Sequence, residues 1–289
     1  MKYIEKKIGK FKMRIKSKEG GIHADLRKMK EGSNKEREPE LINLIKKEVK
    51  EGFTAIDLGS NIGYITLLLS DLCGKNGIVY AIEPEPENFN ILQYNIEINK
   101  LKNVEAYNIA ISESNTISDF FIGKSSNLSG LFSNRNTTLK KVKVKTETLT
   151  NFLKEKKYPN FIKMDTEGAE VEIFKGMYDY FINNNKGKCL IVLEMHPMFY
   201  SKERDLEIEF KKFLNIGFKT KYVISAGVPV PDKFKELGYN KPIDIFKSRG
   251  VYDNFNNEDM IYVSCREHIQ KVPNKKDSKK ICRYVALER

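Results

Sequence analysis

Asp57-Leu58-Gly59-Ser60-Asn61-Ile62-Gly63 closes a β-branched run, Phe53-Thr54-Ala55-Ile56-Asp57, and opens a helical pattern at Tyr64. Glycines at a strand-to-helix turn let the backbone reverse tightly and let a ligand approach it, while the first helical N–H groups are left without intrahelical partners. The turn reads as a nucleotide-binding element. Twenty residues past Gly63, Glu83 ends a second run, Ile78-Val79-Tyr80-Ala81-Ile82-Glu83, at a place where a carboxylate can accept both hydroxyls of a ribose. The glycine spacing is not that of a dinucleotide fingerprint, since Ser60-Asn61 fills the stretch and Asp57 stands just ahead of the turn. A pyrophosphate would be repelled there, and a cationic ligand such as S-adenosylmethionine would be favoured. No G-x-x-x-x-G-K-[ST] occurs, which excludes a P-loop.

Working outward, apolar runs at Val104–Ile109, Phe161–Asp165 and Leu190–Glu194 join the first two as strands buried on both faces. Apolar residues at three- and four-residue intervals predict helices over Tyr64–Leu72, Pro86–Asn99, Val171–Phe181 and Arg204–Leu214. Lys219–Ser225 and Met260–Cys265 supply two more strands, for seven in an alternating α/β order that implies a doubly wound sheet. Three additions lie outside the alternation. Residues 1–50 hold a period-two strand (Phe11, Met13, Ile15) and a helix starting at Glu38-Pro39-Glu40, read as a small cap on the main sheet. Residues 112–146, within the body at 51–266, are polar and too long for a simple connection, which suggests an active-site loop; residues 226–258 read as an insertion.

The 289 residues carry 51 Lys+Arg against 39 Asp+Glu, a net +12. The excess is local: +8 in residues 1–50, +4 in residues 267–289 and zero between. The last segment reads as a basic tail, and the excess as solvated surface or as a guide for an anionic acceptor. No stretch approaches the roughly 18 consecutive apolar residues of a membrane span, and no apolar leader opens the chain, so a cytoplasmic protein is expected. Cys73, Cys189, Cys265 and Cys282 are too scattered for a metal or disulfide framework. His23 and His268 carry no motif and are expected at the surface, and Tyr64 and Tyr94 serve either as core aromatics or as adenine contacts.

Asp57–Tyr64, Ala81-Ile82-Glu83-Pro84-Glu85-Pro86-Glu87-Asn88-Phe89, and above all Ile162-Lys163-Met164-Asp165-Thr166-Glu167-Gly168-Ala169-Glu170 with Glu194-Met195-His196-Pro197 resemble the FkbM family of S-adenosylmethionine-dependent methyltransferases. Arg37-Glu38-Pro39-Glu40 and Lys175-Gly176 are similar to it as well. The departure is Thr148-Leu149-Thr150 where the family shows Thr-Leu-Asp, and Thr150 is expected to cap the following helix. The resemblance implies a class I, Rossmann-like methyltransferase sheet, mostly parallel with an antiparallel last strand. It also implies S-adenosylmethionine as cofactor and methyl transfer to a hydroxyl of a sugar, glycan or natural-product small molecule.

Under that resemblance Gly59, Asn61 and Gly63 line the methionine end of the cofactor, Asp57 holds its ammonium side through water or directly, and Glu83 takes the ribose. Asp165 and Glu194 end neighbouring strands at the carboxyl edge, where ligands bind in open α/β sheets. The attacking hydroxyl needs a base, and His196, with an unperturbed imidazole pKa near 6.5, is the candidate, with Asp165 or Glu167 as runner-up. In a third arrangement Asp165, Glu194 and His196 hold a divalent cation that acidifies the hydroxyl. Two other functions stay open: an RNA methyltransferase whose basic ends grip phosphates, and a non-catalytic binding protein on the same fold.

Overall fold

The computed structural model describes residues 2–31, 36–125, 128–132, 138–185, 187–265 and 281–289. Two compact units, Met1–Thr148 and Leu149–Arg289, divide the chain, in place of the expected cap, body and tail.

In the first unit, β3 (Thr54–Leu58), β4 (Ile78–Ile82) and β5 (Val104–Tyr107) are parallel neighbours joined through α3 (Tyr64–Cys73) and α4 (Pro86–Ile98). Every residue of β3 is buried, as a continuous apolar run requires. The N-terminal segment is a hairpin of β1 (Tyr3–Ile8) and β2 (Phe11–Lys16), followed by α1 (Gly21–Lys28) and α2 (Pro39–Glu48). Only β2 and α2 were legible beforehand. Met13, Ile15, Ile22 and Leu26 bury against Ile62, Leu67 and Ile91, so this layer rests on α3, α4 and the glycine turn rather than on the sheet. Asn95 of α4 ties the layers together: its Oδ1 accepts the Arg14 N–H at 2.6 Å and its Nδ2 donates to the Ile62 carbonyl at 2.8 Å. Tyr94 donates its hydroxyl to Glu5 of the hairpin.

His23 is not a surface residue. It is fully buried, its Nδ1 accepts the Lys16 N–H at 3.1 Å, and burial pushes its pKa down to about 4. The reason for the misreading is local: one apolar turn of α1 turns inward, carrying the imidazole with Ile22 and Leu26. Residues 112–146 also differ from an open loop. They contain a hairpin of β7 (Thr116–Gly123) and β8 (Thr138–Glu147), with β6 (Ala110–Ile111) parallel to β8 in a three-stranded sheet.

In the second unit, β9 (Phe161–Met164) and β10 (Leu190–Glu194) run parallel, connected by α6 (Glu170–Asn183). The short α5 (Leu149–Phe152) precedes them, and α7 (Leu206–Asn215) leads to β11 (Lys219–Ser225). Thr150 does not cap a helix end: its hydroxyl lies between α5 and α6, donating to the Gly176 carbonyl at 2.8 Å and accepting the Tyr180 N–H at 3.2 Å. The insertion at 226–258 forms α8 (Asp232–Glu236) and two strands, β12 (Asp244–Phe246) and β13 (Arg249–Tyr252), which extend the sheet edge beyond β11. Apart from the β1–β2 hairpin and the sheet of β6, β7 and β8, the described strands number three in the first unit and six in the second, where seven in all were expected.

The largest correction concerns the chain end. Met260–Cys265 is not the last strand: Met260–Ser264 belongs to α9 (Asn257–Ser264), which the Asn256 side chain caps by accepting the Asp259 N–H at 2.7 Å. A short apolar run does not distinguish a strand from a buried helical turn. The last strand is β14 (Cys282–Glu288), inside the segment read as a basic tail, and it inserts antiparallel between β10 and β11. Tyr284, Val285, Ala286 and Leu287 are buried along it, and Cys189 and Arg289 exchange backbone hydrogen bonds at 3.0 Å at its end. The lysines at 271–280 and His268 lie outside the described residues. No helix among the described residues is long and apolar enough to cross a membrane.

Two outcomes follow from these placements. A chain ending at residue 280 is expected to lose cooperative thermal unfolding of the second unit, measured by circular dichroism, because β10 and β11 are left without their common partner. Between pH 6.5 and 4 an unfolded His23 binds a proton that the folded one does not, so stability falls as pH falls through that window. From pH 7 to pH 5 urea unfolding should show a loss of about 2 kcal/mol that His23→Gln does not share.

Candidate functional site

In the first unit the glycine turn hangs from the end of β4. The N–H groups of Gly59 and Ser60 both donate to the Ile82 carbonyl at 3.0 Å, and Ser60 Oγ donates to the Asp57 carbonyl at 2.8 Å. Gly59 (φ 74°), Asn61 (φ 51°) and Gly63 (φ 93°) all take left-handed conformations. At Gly63 a Cβ would lie 2.8 Å from Leu92 Cδ1, so this glycine admits close packing against α4. Gly63 is buried, while Gly59 and Asn61 are half-buried at the mouth of the turn.

Glu83 is held by the backbone on both sides. Its Oε2 accepts the Asn61 N–H at 2.7 Å and its Oε1 accepts the Glu85 N–H at 2.8 Å. A carboxylate has about four acceptor sites, and these two bonds fix its orientation at the end of β4. Asp57 stands differently. It is fully buried, and its Oδ2 accepts the Thr66 hydroxyl of α3 at 2.7 Å. Asp57 thus braces the turn from behind and contributes its negative field. The acidic turn and the oriented Glu83 together fit a cationic nucleoside such as S-adenosylmethionine.

In the second unit, β9 and β10 pair so that Leu193 lies beside Met164, which sets Asp165 and Glu194 side by side at their carboxyl ends. His196, two residues past β10, faces both. Its Nδ1 lies 3.0 Å from Glu170 Oε1, and its Nε2 lies 3.5 Å from Glu194 Oε1, 3.6 Å from Glu167 Oε2 and 3.8 Å from Asp165 Oδ1. Oxygens of Asp165 and Glu194 and a ring nitrogen of His196 all fall within 4.8 Å of one another, a set able to hold a metal ion.

Glu170 organises this cluster from the first turn of α6. It is fully buried, and besides His196 it accepts the Tyr200 hydroxyl at 2.8 Å, the Gly168 N–H at 3.1 Å and the Thr166 hydroxyl at 3.2 Å. Burial alone would raise its pKa, but the His196 charge and these donors hold it below the ordinary carboxyl value. Burial likewise disfavours the His196 imidazolium, yet Glu170, Glu194 and Glu167 hold the ring's pKa well above its usual value. This corrects the expectation of an imidazole with ordinary basicity. Burial pushes Glu167 up to about 7, with His196 opposing and Asp165 and Glu170 adding to the rise.

The loop between β9 and α6 takes its shape from two left-handed residues, Glu167 (φ 50°) and Gly168 (φ 104°). A Cβ at Gly168 would meet Phe199 at 2.6 Å. Arg204 staples the same loop: it donates to the Gly168 and Phe199 carbonyls and pairs with Glu172 at 2.5 Å. Arg283 of β14 pairs with Glu194 at 2.7 Å. Sequence reasoning missed Glu170, Tyr200, Arg204 and Arg283 as parts of the site. Glu170 carried a signal, an acid in a helix's first turn inside the quoted motif, whereas Arg283 lay in what read as tail.

A model described as the methyltransferase FkbM domain matches residues 57–241. The protein "Methyltransferase 1" of Beauveria bassiana (strain ARSEF 2860) is 28% identical over 145 residues, 43% of this chain and 58% of that relative. A protein-L-isoaspartate O-methyltransferase of Methanococcoides burtonii is 36% identical over 50 residues, 17% of this chain and 25% of the relative. The match therefore spans a little over half of one relative's length and a quarter of the other's. Among solved structures, a methyltransferase FkbM from Methylobacillus flagellatus KT is 17% identical with a TM-score of 0.36, covering 50% of this chain and 33% of its own.

Glu170→Gln removes the buried counter-charge of His196 and should cost about 3–5 kcal/mol of stability, read as a fall in melting temperature by calorimetry.

Proposed function

Because the chain belongs to the FkbM methyltransferase family, we propose that it transfers a methyl group from S-adenosylmethionine to a hydroxyl oxygen of a small acceptor, a sugar, glycan or natural product. The observation that carries this reading is the gathering of Asp165, Glu167 and Glu194 around His196 at the carboxyl ends of two parallel strands. A hydroxyl needs its proton removed as it attacks a sulfonium methyl, and a group within hydrogen-bond reach must take it.

When bound, S-adenosylmethionine supplies the electrophilic methyl. Glu83 accepts the ribose hydroxyls, with its carboxylate already aimed by the Asn61 and Glu85 N–H groups. Gly59 and Asn61 line the turn, and Asp57 offers a negative field behind it to a cationic ligand. In the second unit Glu167 takes the acceptor's proton. Its side chain is 20% exposed, where that of Glu194 is 5% exposed and paired with Arg283. His196 and Asp165 fix the acceptor's orientation beside it. An RNA phosphate brought here would meet several carboxylates of its own sign, which favours a hydroxyl on a small acceptor over RNA. Four buried free cysteines accord with a reducing cytoplasmic setting.

Tritiated methyl transfer to a panel of hydroxylated sugars and natural products tests the reading. Wild type should label at least one; Glu167→Gln should lower kcat by about 100-fold or more. Glu83→Ala should weaken S-adenosylmethionine binding with little change in melting temperature. Unchanged turnover in Glu167→Gln would overturn the proton-acceptor role, and no rise in melting temperature with S-adenosylmethionine would overturn the cofactor.

A further inference from the structure

We propose that Asp165, Glu194 and His196 form a divalent-cation site, of the kind that takes Mn2+, at the carboxyl ends of β9 and β10. The inference rests on the methyltransferase reading only for its purpose, since the site itself stands on geometry.

The first observation is the convergence of three donors of metal-ligand type, all within 4.8 Å of one another. Donors at about 2.1 Å from a common ion are about 3.0 Å apart when adjacent and about 4.2 Å apart when opposite. The 3.5 Å from His196 Nε2 to Glu194 and the 3.8 Å to Asp165 fall between those values. Both distances are long for a hydrogen bond to a ring nitrogen. Small side-chain movements therefore suffice to close the set on an ion.

The second observation is independent of the first. The His196 side chain is 6% exposed, and its two nitrogens are used differently. Nδ1 meets Glu170 at hydrogen-bond distance, while Nε2 points at the carboxylates and makes no hydrogen bond among the described residues. A carboxylate that fixes one nitrogen so that the other faces outward is the usual support behind a metal-binding histidine, and an ion that binds Nε2 displaces the proton the surrounding carboxylates hold there. Glu170 is itself fixed by Tyr200, Thr166 and the Gly168 N–H, so the ring has little freedom to turn away.

The chemistry of the donors selects the ion. Two carboxylates and one imidazole, with no thiolate among them, suit Mn2+ and related first-row ions better than a soft metal. Arg283 on Glu194 at 2.7 Å and Lys163 near Asp165 at 3.9 Å offset part of the negative charge, which leaves a site for a dication rather than for a bare charge sink. Three protein donors leave open positions on a six-coordinate ion. The acceptor's hydroxyl oxygen fits one of them, and there its proton is acidified and leaves to Glu167 as the oxygen–methyl bond forms and the sulfur–methyl bond breaks.

Metal binding is measured without cofactor or acceptor, so its outcome is separate from that of the methyl-transfer assay. Full-length protein, stripped with chelator, is titrated with Mn2+ and followed by electron paramagnetic resonance and calorimetry. One Mn2+ per chain is expected, with affinity reduced about tenfold or more in both Asp165→Asn and Glu194→Gln, and unchanged in Glu83→Ala. Melting temperatures of the variants show that they remain folded, and either variant alone suffices for the comparison. Absence of binding at about 1 mM Mn2+, or binding that neither folded variant weakens, would overturn the site.

Discussion

A single buried carboxylate orders the second unit. Glu170 has no access to water, and a charge in that position survives only if every acceptor site is used. His196, Tyr200, Thr166 and the Gly168 N–H supply the partners. The partners come from two pieces of chain, the loop after β9 and the segment after β10. Satisfying Glu170 therefore fixes the distance between those two segments, and with it the placement of Asp165, Glu167 and Glu194. The position of Glu170 in the first turn of α6 adds the favourable field of the helix N-terminus.

The first unit solves a similar problem in a milder form. Glu83 is also a nearly buried carboxylate at a strand's end, and two backbone N–H groups hold it. The difference suits the two tasks. A carboxylate held by neutral donors keeps its full charge and its outward acceptor capacity for hydroxyls, whereas one paired with a histidine passes orientation to the ring. Asn95 extends this order to the N-terminal hairpin, because the same amide holds both Arg14 and the Ile62 carbonyl of the glycine turn.

Much of the alternating core was legible. The five buried runs became β3, β4, β5, β9 and β10, and Lys219–Ser225 became β11 with the expected bounds, because strands buried on both faces write themselves as continuous apolar sequence. The glycine turn, Glu83, Asp165, Glu194 and His196 were legible through their positions at strand ends. What escaped depended on contacts distant in sequence. The burial of His23 and the bracing role of Asp57 are set by packing partners that no local pattern reveals. Helix α9 and strand β14 were misread for opposite reasons: Met260–Cys265 is apolar enough for either structure, and Cys282–Glu288 followed a lysine-rich stretch whose composition masked it. The base role of His196 assumed ordinary basicity, which three neighbouring acids remove.

The position of β14 has a consequence for how the molecule is made. The strand that separates β10 from β11 is the last segment of this sequence to leave the ribosome, and Arg289 still bonds to Cys189. Until it arrives, β10 and β11 expose unpaired edges rich in apolar side chains, the kind of surface that recruits chaperones or other nascent chains. The strands of the first unit all precede residue 149. Synthesis order thus lets the first unit begin folding on the ribosome, while completion of the sheet in the second unit waits on β14.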